Sequence, residues 1–254
     1  YALTSDEKGN AYLYGTFDRY AEVTVKYREA TLATHTFLQA TEKAKSYALD
    51  ATVISANSAE EIKSAIKQEV ADGKTAIRLN LASDAGDNEF KAIREAFENV
   101  KSGTIDLTLI GCKEIPADGL NDIKALKSIF LPDVTKIGMN ALSYCVNLQE
   151  ICAPNVSAID ERAFAGFIML TKVTLGELTD VRGEANSGGG IFDDDKRIPI
   201  DLYLPKNQEV MKGEFDENSN QYIWKPTGES YFASLDYDNG IFLGYQFNSV
   251  KSWE

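Results

Sequence analysis

His35 is the one imidazole in the sequence, so any Ser-His-Asp or Cys-His mechanism would have to run through it. Thr34 and Thr36 beside it form no recognisable motif, and a single histidine cannot make a multi-histidine metal site, so we read His35 as a non-catalytic surface residue. The run Asp193-Asp194-Asp195 offers hard oxygen ligands of the kind calcium takes, but charge runs ordinarily face water and a solvated loop is the expectation. Asp236-Tyr-Asp-Asn-Gly240 looks like part of a calcium loop until its spacing is tried. With Gly240 at the sixth position, Leu235 becomes the first ligand and Gln246 the last, so a tight turn through Asn239-Gly240 explains it better. Gly188-Gly-Gly190 is followed by neither Gly-Lys-Ser/Thr nor the helix of a phosphate loop and reads as a flexible insertion. Trp224, Tyr231, Phe232 and Tyr237 could form an aromatic platform for sugar or protein, but core packing is the expected role of aromatics in a chain-end cap. With 39 acidic residues, some glycosidase-like carboxylate pair is always available. None of these groups is a catalytic constellation. We therefore assign no catalytic residue, no cofactor-binding residue, no cofactor and no metal ligand.

Cys112, Cys145 and Cys152 are too few for a disulfide scaffold, and no pair has the C-x-x-C spacing of a zinc site. We expect small buried hydrophobes, with a Cys145–Cys152 disulfide or a redox role as the alternative.

Whatever positions a surface residue here is a repeat. The segments Leu126-Lys-Ser-Ile-Phe-Leu-Pro132, Leu148-Gln-Glu-Ile-Cys-Ala-Pro154 and Leu170-Thr-Lys-Val-Thr-Leu-Gly176 follow one another at a constant offset. At the same offset Val134, Val156 and Leu178 coincide, as do Ile137, Ile159 and Val181; Ala141 meets Ala163, Leu142 meets Phe164 and Cys145 meets Phe167. Upstream, Ile105, Leu107 and Leu109 continue the alternation, and across a longer interval Ile77, Leu79 and Leu81 are aligned with them in that order. Downstream, Ile200, Leu202 and Leu204 are aligned with Thr171, Val173 and Leu175, again across a longer interval. Alternation of apolar and polar residues predicts short half-buried strands, each ended by Pro132, Pro154 or Gly176. The stretch Ile159-Asp-Glu-Arg-Ala-Phe-Ala-Gly166 predicts a helical turn packing Ile, Ala and Phe inward. One such unit cannot bury its own apolar side, so units must stack into one core. The expected fold is an α+β solenoid: a leucine-rich repeat of about 22-residue units, parallel short strands plus helical turns, with a helical N-terminal cap and a β-rich C-terminal cap.

The flanks set the boundaries. Residues 1–50 read as an N-terminal cap or small subdomain, with a strand over Ala21–Tyr27, hairpin partners at Tyr12, Tyr14 and Phe17, and a helix over the Ala/Thr-rich 28–48. Residues 51–103 read as a helical lead-in: Ser58 and Glu61 form a capping box before Ile62, Ala65, Ile66 and Val70, Asp72-Gly73 stops that helix, and Asp87 caps a second helix burying Phe90, Ile93 and Phe97. These two helices would close the stack against an exposed edge. The solenoid proper spans 104–205 with an insertion at 182–198, and 206–254 forms a C-terminal β-rich cap of short antiparallel strands.

Composition narrows the partner. Lys plus Arg total 26 against 39 for Asp plus Glu, a net −13 that repels phosphate backbones and anionic lipid heads, so neither nucleic acid nor membrane is expected as partner. No stretch reaches the roughly eighteen unbroken apolar residues of a membrane span. The chain starts at Tyr1 with no basic-then-apolar leader, and compartment is not read from that.

The run Ile137-Gly-Met-Asn-Ala-Leu-Ser-Tyr-Cys-Val-Asn-Leu148, with Ile159-Asp-Glu-Arg-Ala-Phe-Ala-Gly166 after it, resembles the BspA-type leucine-rich repeat of surface proteins in Bacteroides-like bacteria. Ile137, Gly138, Ala141, Cys145, Leu148, Ile151 and Pro154 fit its Ile-Gly-x-x-Ala-Phe-x-x-Cys-x-x-Leu-x-x-Ile-x-Ile-Pro unit; Leu142, Asp160 and Phe167 depart from it. Asn88–Glu95 is similar to the helix that leads into such repeats, and Tyr245–Val250 to a C-terminal segment found there. The resemblance covers about 88–180. It implies an extracellular or cell-surface location and an adhesion role, and carries over no functional residue.

Two functions follow as expectations. The first is a non-enzymatic secreted or surface interaction protein that binds an extracellular protein or glycan through the solenoid, with the exposed insertion Gly183–Asp195 as the contact region. The alternative is a carbohydrate-active enzyme on a parallel β-helix, which would need Asp, Lys or Arg clustered at equal positions of successive coils; Asp133 with Asn155, and Lys136 with Ala158, do not show that.

Overall fold

A computed structural model describes residues 20–27, 30–38, 53–56, 58–183, 190–192, 197–227 and 235–253. The chain divides into two compact units, Tyr1–Asp50 and Ala51–Glu254. In the first, β1 (Tyr20–Tyr27) pairs antiparallel with β2 (Ala30–Leu38), with a register shift between Val25 and Lys26. This corrects the helix expected over 28–48: its described part is a strand, and the β-branched residues Thr31, Thr34 and Thr36 suit one. His35 sits on β2 opposite Val23. Tyr12, Tyr14 and Phe17 lie outside the described residues.

The second unit opens with β3 (Val53–Ser55), α1 (Ala59–Ala71), β4 (Ala76–Asn80), α2 (Asp87–Ala96) and β5 (Ile105–Ile110). Short strands then alternate between two sheets: β6 (Glu114–Ile115), β7 (Leu126–Phe130), β8 (Lys136–Ile137), β9 (Glu150–Ala153), β10 (Ala158–Ile159), β11 (Lys172–Leu175), β12 (Asp180–Arg182) and β13 (Arg197–Pro205). The hairpin β14 (Met211–Asp216) and β15 (Gln221–Pro226) follows, then β16 (Leu235–Asp236), β17 (Ile241–Phe242) and β18 (Tyr245–Trp253). Among the described residues this makes a ten-stranded sheet in the order β16-β17-β18-β13-β11-β9-β7-β5-β4-β3 and a six-stranded sheet in the order β14-β15-β12-β10-β8-β6.

Parallel neighbours need a crossover of a dozen or more residues. At the start α1 and α2 serve, packed on each other. Ser58 accepts the Glu61 N–H at 3.3 Å, and Ile62 and Ile66 are buried. The second helix corrects its expected cap: Asp87 is already helical, Gly86 precedes it, and the Gly86 N–H donates to Glu89 Oε2 at 3.0 Å. Arg94 Nη1 donates to the carbonyls of Asp118 and Gly119, both at 2.7 Å, tying α2 to the first repeat turn. Arg94→Ala is expected to cost about 1–3 kcal/mol, since bonds from a charged donor are lost, and a urea titration with the midpoint lowered at unchanged slope would show it.

In the repeats the second sheet replaces the helix. Glu114, Lys136, Ala158 and Asp180 stand in one parallel row, with Ile115, Ile137, Ile159 and Val181 beside them and buried. On the larger sheet Leu107, Ile129, Ile151, Val173, Leu202 and Val250 form the facing buried column. Each fully buried Ile, Leu or Val contributes about 1.5–3 kcal/mol of transfer free energy.

The helical turn expected at Ile159–Gly166, and at its equivalents, is absent. Residues 118–122, 140–144 and 162–164 point alternate N–H groups at the next coil instead: Leu120 to Ala141, Asn140 to Glu161, Leu142 to Ala163, Phe164 to Ile191, at 2.8–3.1 Å. Left-handed φ values at Asp118, Asn140 and Arg162 (54–57°) and at Asp122 and Tyr144 (55–60°) turn the backbone so that it can do this. Among the described residues no helix lies beyond Ala96. The Ile159, Ala163, Phe164 spacing mimics a helical face, but every second donor is spent on the next coil, and those between close single turns within the segment instead of a helix.

Two alignments also shift. Ile77 pairs with Leu107 and Leu79 with Leu109, one alternation step along from the alignment drawn above; a shift of that size keeps the same face inward. And β18 is not a short antiparallel cap strand: it runs parallel to β13, so Val250 joins the core column after Leu202.

Candidate functional site

The larger sheet carries two rows on the side away from the core column. One runs Thr108, Phe130, Cys152, Thr174, Tyr203, Lys251, with Cys152 and Thr174 at its centre buried; the other, more exposed, runs Asp106, Ser128, Glu150, Lys172, Asp201, Ser249. Neighbouring coils neutralise each other along the second row. Ser128 donates to Asp106 at 2.6 Å, Lys172 meets Glu150 at 3.0 Å, and Asp201 accepts from Asn248 at 2.6 Å and Ser249 at 2.7 Å. Those donors, the Ser249 hydroxyl foremost, hold the Asp201 carboxyl below the usual range. The ammonium groups of Lys172 and Lys251 lie 5.4 and 5.5 Å from the Tyr203 ring centre, inside cation–π range.

The six-stranded sheet carries a groove of about 270 Å³ lined by Glu114, Lys136, Asp160, Arg182, Gln221 and Met139, among others. Its charges alternate across four coils. Lys136 Nζ is 2.7 Å from Glu114 and 3.7 Å from Asp160; Arg182 Nε is 3.4 Å from Asp160 and 3.8 Å from Asp180. Arg182 Nη1 also donates to Gln221 Oε1 at 3.2 Å, which brings the β14–β15 hairpin into the set. The Glu114 hydrogen bond holds Lys136 above the usual lysine range, against its partial burial.

This ladder is what position-by-position comparison of coils misses. Lys136 and Ala158 are aligned and dissimilar, yet Lys136 reaches diagonally past the short Ala158 to Asp160. At equal positions of successive coils Glu114, Lys136, Ala158 and Asp180 still form no like row; the ladder is assembled instead across positions two apart.

Among the described residues, those singled out by chemistry are not brought together. Asp193–Asp195, Gly188, Gly189, Tyr231 and Phe232 lie outside the described residues, as do 184–187. Gly190, Ile191 and Phe192, inside the expected insertion 182–198, are buried, so this part is core rather than exposed loop. Phe192 packs 5.4 Å from Phe164. Trp224 is buried, its indole N–H donating to Gly183 O at 3.1 Å, while Tyr237 is exposed, so they share no platform. Asp236 accepts from the backbone and side chain of Asn239 at 3.0 and 2.8 Å, closing the β16–β17 turn. Among the described residues no three His, Cys, Asp or Glu gather to hold a metal ion, and no helix is long and apolar enough to cross a membrane.

All three cysteines are buried and none is in a disulfide. Burial pushes the thiol of Cys112 up to about 11 and that of Cys145 up to about 12. Cys145 Sγ also lies 3.1 Å from Leu120 O. The thiolate is the nucleophile, so both should resist alkylation at pH 8 until denaturant is added. Because the folded state holds these protons more tightly, the stability they confer is complete below the unfolded thiol value near pH 9. It is lost as pH rises from there toward 11–12, by about 1.4 kcal/mol per pH unit per thiol. Thermal melts between pH 8 and 11 on the parent and on Cys112→Ala/Cys145→Ala would show a shallower alkaline decline in the variant.

No curated protein and no solved structure matches this chain. One family does, the BspA type leucine-rich repeat region, in 6 copies over residues 88–188. The stacked parallel strands and inter-coil turns are the form that this sequence repeat takes, and residues 88–188 of the chain are a BspA-type leucine-rich repeat region.

Proposed function

We propose that this protein is a non-enzymatic interaction module of the cell surface or extracellular space, binding a protein or glycan through the faces of its solenoid. In this reading the repeat unit is the interval from Leu126 to Leu148, residues 51–103 close one end of the stack, 206–254 close the other, and 1–50 form a separate small subdomain. Such repeats generally serve binding, which supports the reading. The observation that carries it is the outer surface. The row Asp106, Ser128, Glu150, Lys172, Asp201, Ser249 on one sheet and a charged ladder on the other place side chains coil after coil on a backbone cross-linked between coils. Rigid repeated presentation of mutually paired charges and half-buried aromatics favours recognition at little ordering cost.

The test is an array of extracellular-matrix proteins, mucins and polysaccharides probed with the full chain, the bound glycans then examined for cleavage. Saturable binding without cleavage is expected. Cleavage products would overturn the non-enzymatic reading in favour of a carbohydrate-active enzyme.

A further inference from the structure

The groove on the six-stranded sheet is defined by what it excludes. Its long side is set by successive coils, and each coil contributes one charged group to it, with alternating sign: Glu114, Lys136, Asp160, Arg182. A polyanion laid along it would meet Glu114, Asp160 and Glu161, and a polycation would meet Lys136 and Arg182. A charged chain of either sign therefore finds repulsion at every second coil, whereas an uncharged chain finds none.

Each ion pair also keeps hydrogen-bonding capacity. An ammonium has three donors and a guanidinium five, and each carboxylate has about four acceptor sites. Lys136 donates to Glu114 and stands 3.7 Å from Asp160, while Arg182 donates from Nη1 to Gln221 and holds Nε 3.4 and 3.8 Å from Asp160 and Asp180, so donors remain on both cations. The pairs stay compensated with or without a ligand, so binding does not strand a lone charge. Groups that are at once donor and acceptor fit such a row, and hydroxyls are those groups. Met139, 43% exposed at the rim, and Ala117 add the apolar contact that the C–H face of a sugar ring takes.

We propose that this groove binds a neutral oligosaccharide laid across the coils, its hydroxyls bridging the Lys136–Asp160 and Asp160–Arg182 pairs. The inference rests on the interaction reading above and names its ligand class and face.

The full chain is titrated calorimetrically with neutral β-glucan, xylan, mannan and galactan oligosaccharides, with polygalacturonate and heparin as charged comparisons. Saturable binding of at least one neutral series is expected, weakened at least tenfold by Arg182→Gln and unchanged by Lys91→Gln on the exposed side of α2. If Arg182→Gln does not fold, Gln221→Ala removes a single hydrogen bond and should weaken binding about threefold or more. Binding that ignores both groove variants, binding of the charged polymers alone, or no binding of any neutral series overturns the inference. Capture of a matrix protein or mucin without neutral-glycan binding would overturn it while leaving the interaction reading standing; capture of nothing would overturn both.

Discussion

Phe164→Ala should destabilise the protein by about 3–5 kcal/mol, a fall in melting temperature of roughly 6–20 °C. The side chain is 1% exposed, its ring lies 5.4 Å from Phe192 and 6.3 Å from Phe167, and its N–H donates to Ile191 O at 2.8 Å. Phe164 is therefore the joint between the regular repeats and the segment Gly190–Phe192 that re-enters the stack after the insertion. Removing the ring opens a cavity between coils that are held by backbone bonds and cannot close over it. Phe164→Leu restores the side chain that the preceding coil carries at this position, Leu142, and should cost less than about 1.5 kcal/mol. Because each coil touches only its neighbours, the damage should stay local. Amide exchange should quicken at Ile159–Gly166 and Gly190–Phe192 and stay unchanged in α1. Uniform acceleration through α1 would show instead that the unit unfolds as one cooperative body.

The same residues show how far the sequence carries and where it stops. Columns of identical role, Ile137 with Ile159 and Val181 above all, were legible because an inward position tolerates only an apolar residue of fitting size, and a fixed offset repeats that demand. The partner of each backbone donor was not legible. Ile159-Asp-Glu-Arg-Ala-Phe has apolar residues at helical spacing, and side-chain pattern alone does not distinguish N–H groups bonded within a segment from N–H groups bonded to the next coil. The left-handed residues Asp118, Asn140 and Asp122 were the available signal, since Asn and Asp tolerate that conformation best, but Arg162 and Tyr144 at equivalent places obscure it.

At the candidate site the loss has a different cause. Aligning coils compares residues at equal positions, while long side chains reach diagonally. Such an alignment does not display the Lys136–Asp160 contact, although the short Ala158 that Lys136 reaches past stands in the sequence. The buried return at Ile191-Phe192 was likewise readable as a copy of Ala163-Phe164 displaced by the insertion. Composition masked it, because the flanking glycines and aspartates draw the whole stretch toward a loop reading.

Gly176→Val should be at least as damaging as the loss of Phe164's ring, for the opposite reason. A Cβ at position 176 would stand 2.5 Å from Val156 O, 2.8 Å from Pro154 O and 2.9 Å from the Asn155 carbonyl carbon, all backbone atoms of the preceding coil. Flexible side chains can yield to an added methyl; the backbone beneath Gly176 is held by its own inter-coil bonds and by the β9–β11 pairing that ends at Ala153 and Leu175. Proline serves at the aligned positions 132 and 154, so a strand terminator alone does not explain the glycine; close approach of the coils does. Overpacking ordinarily costs about 1–3 kcal/mol and more where relief needs a backbone shift, so a loss above about 3 kcal/mol is expected, with Gly176→Ala intermediate. Urea titrations of the parent and both variants would rank them. Equal stability of all three would mean that the coils separate here at little cost, and the rigid spacing on which the outer rows of side chains depend would then fail at this point.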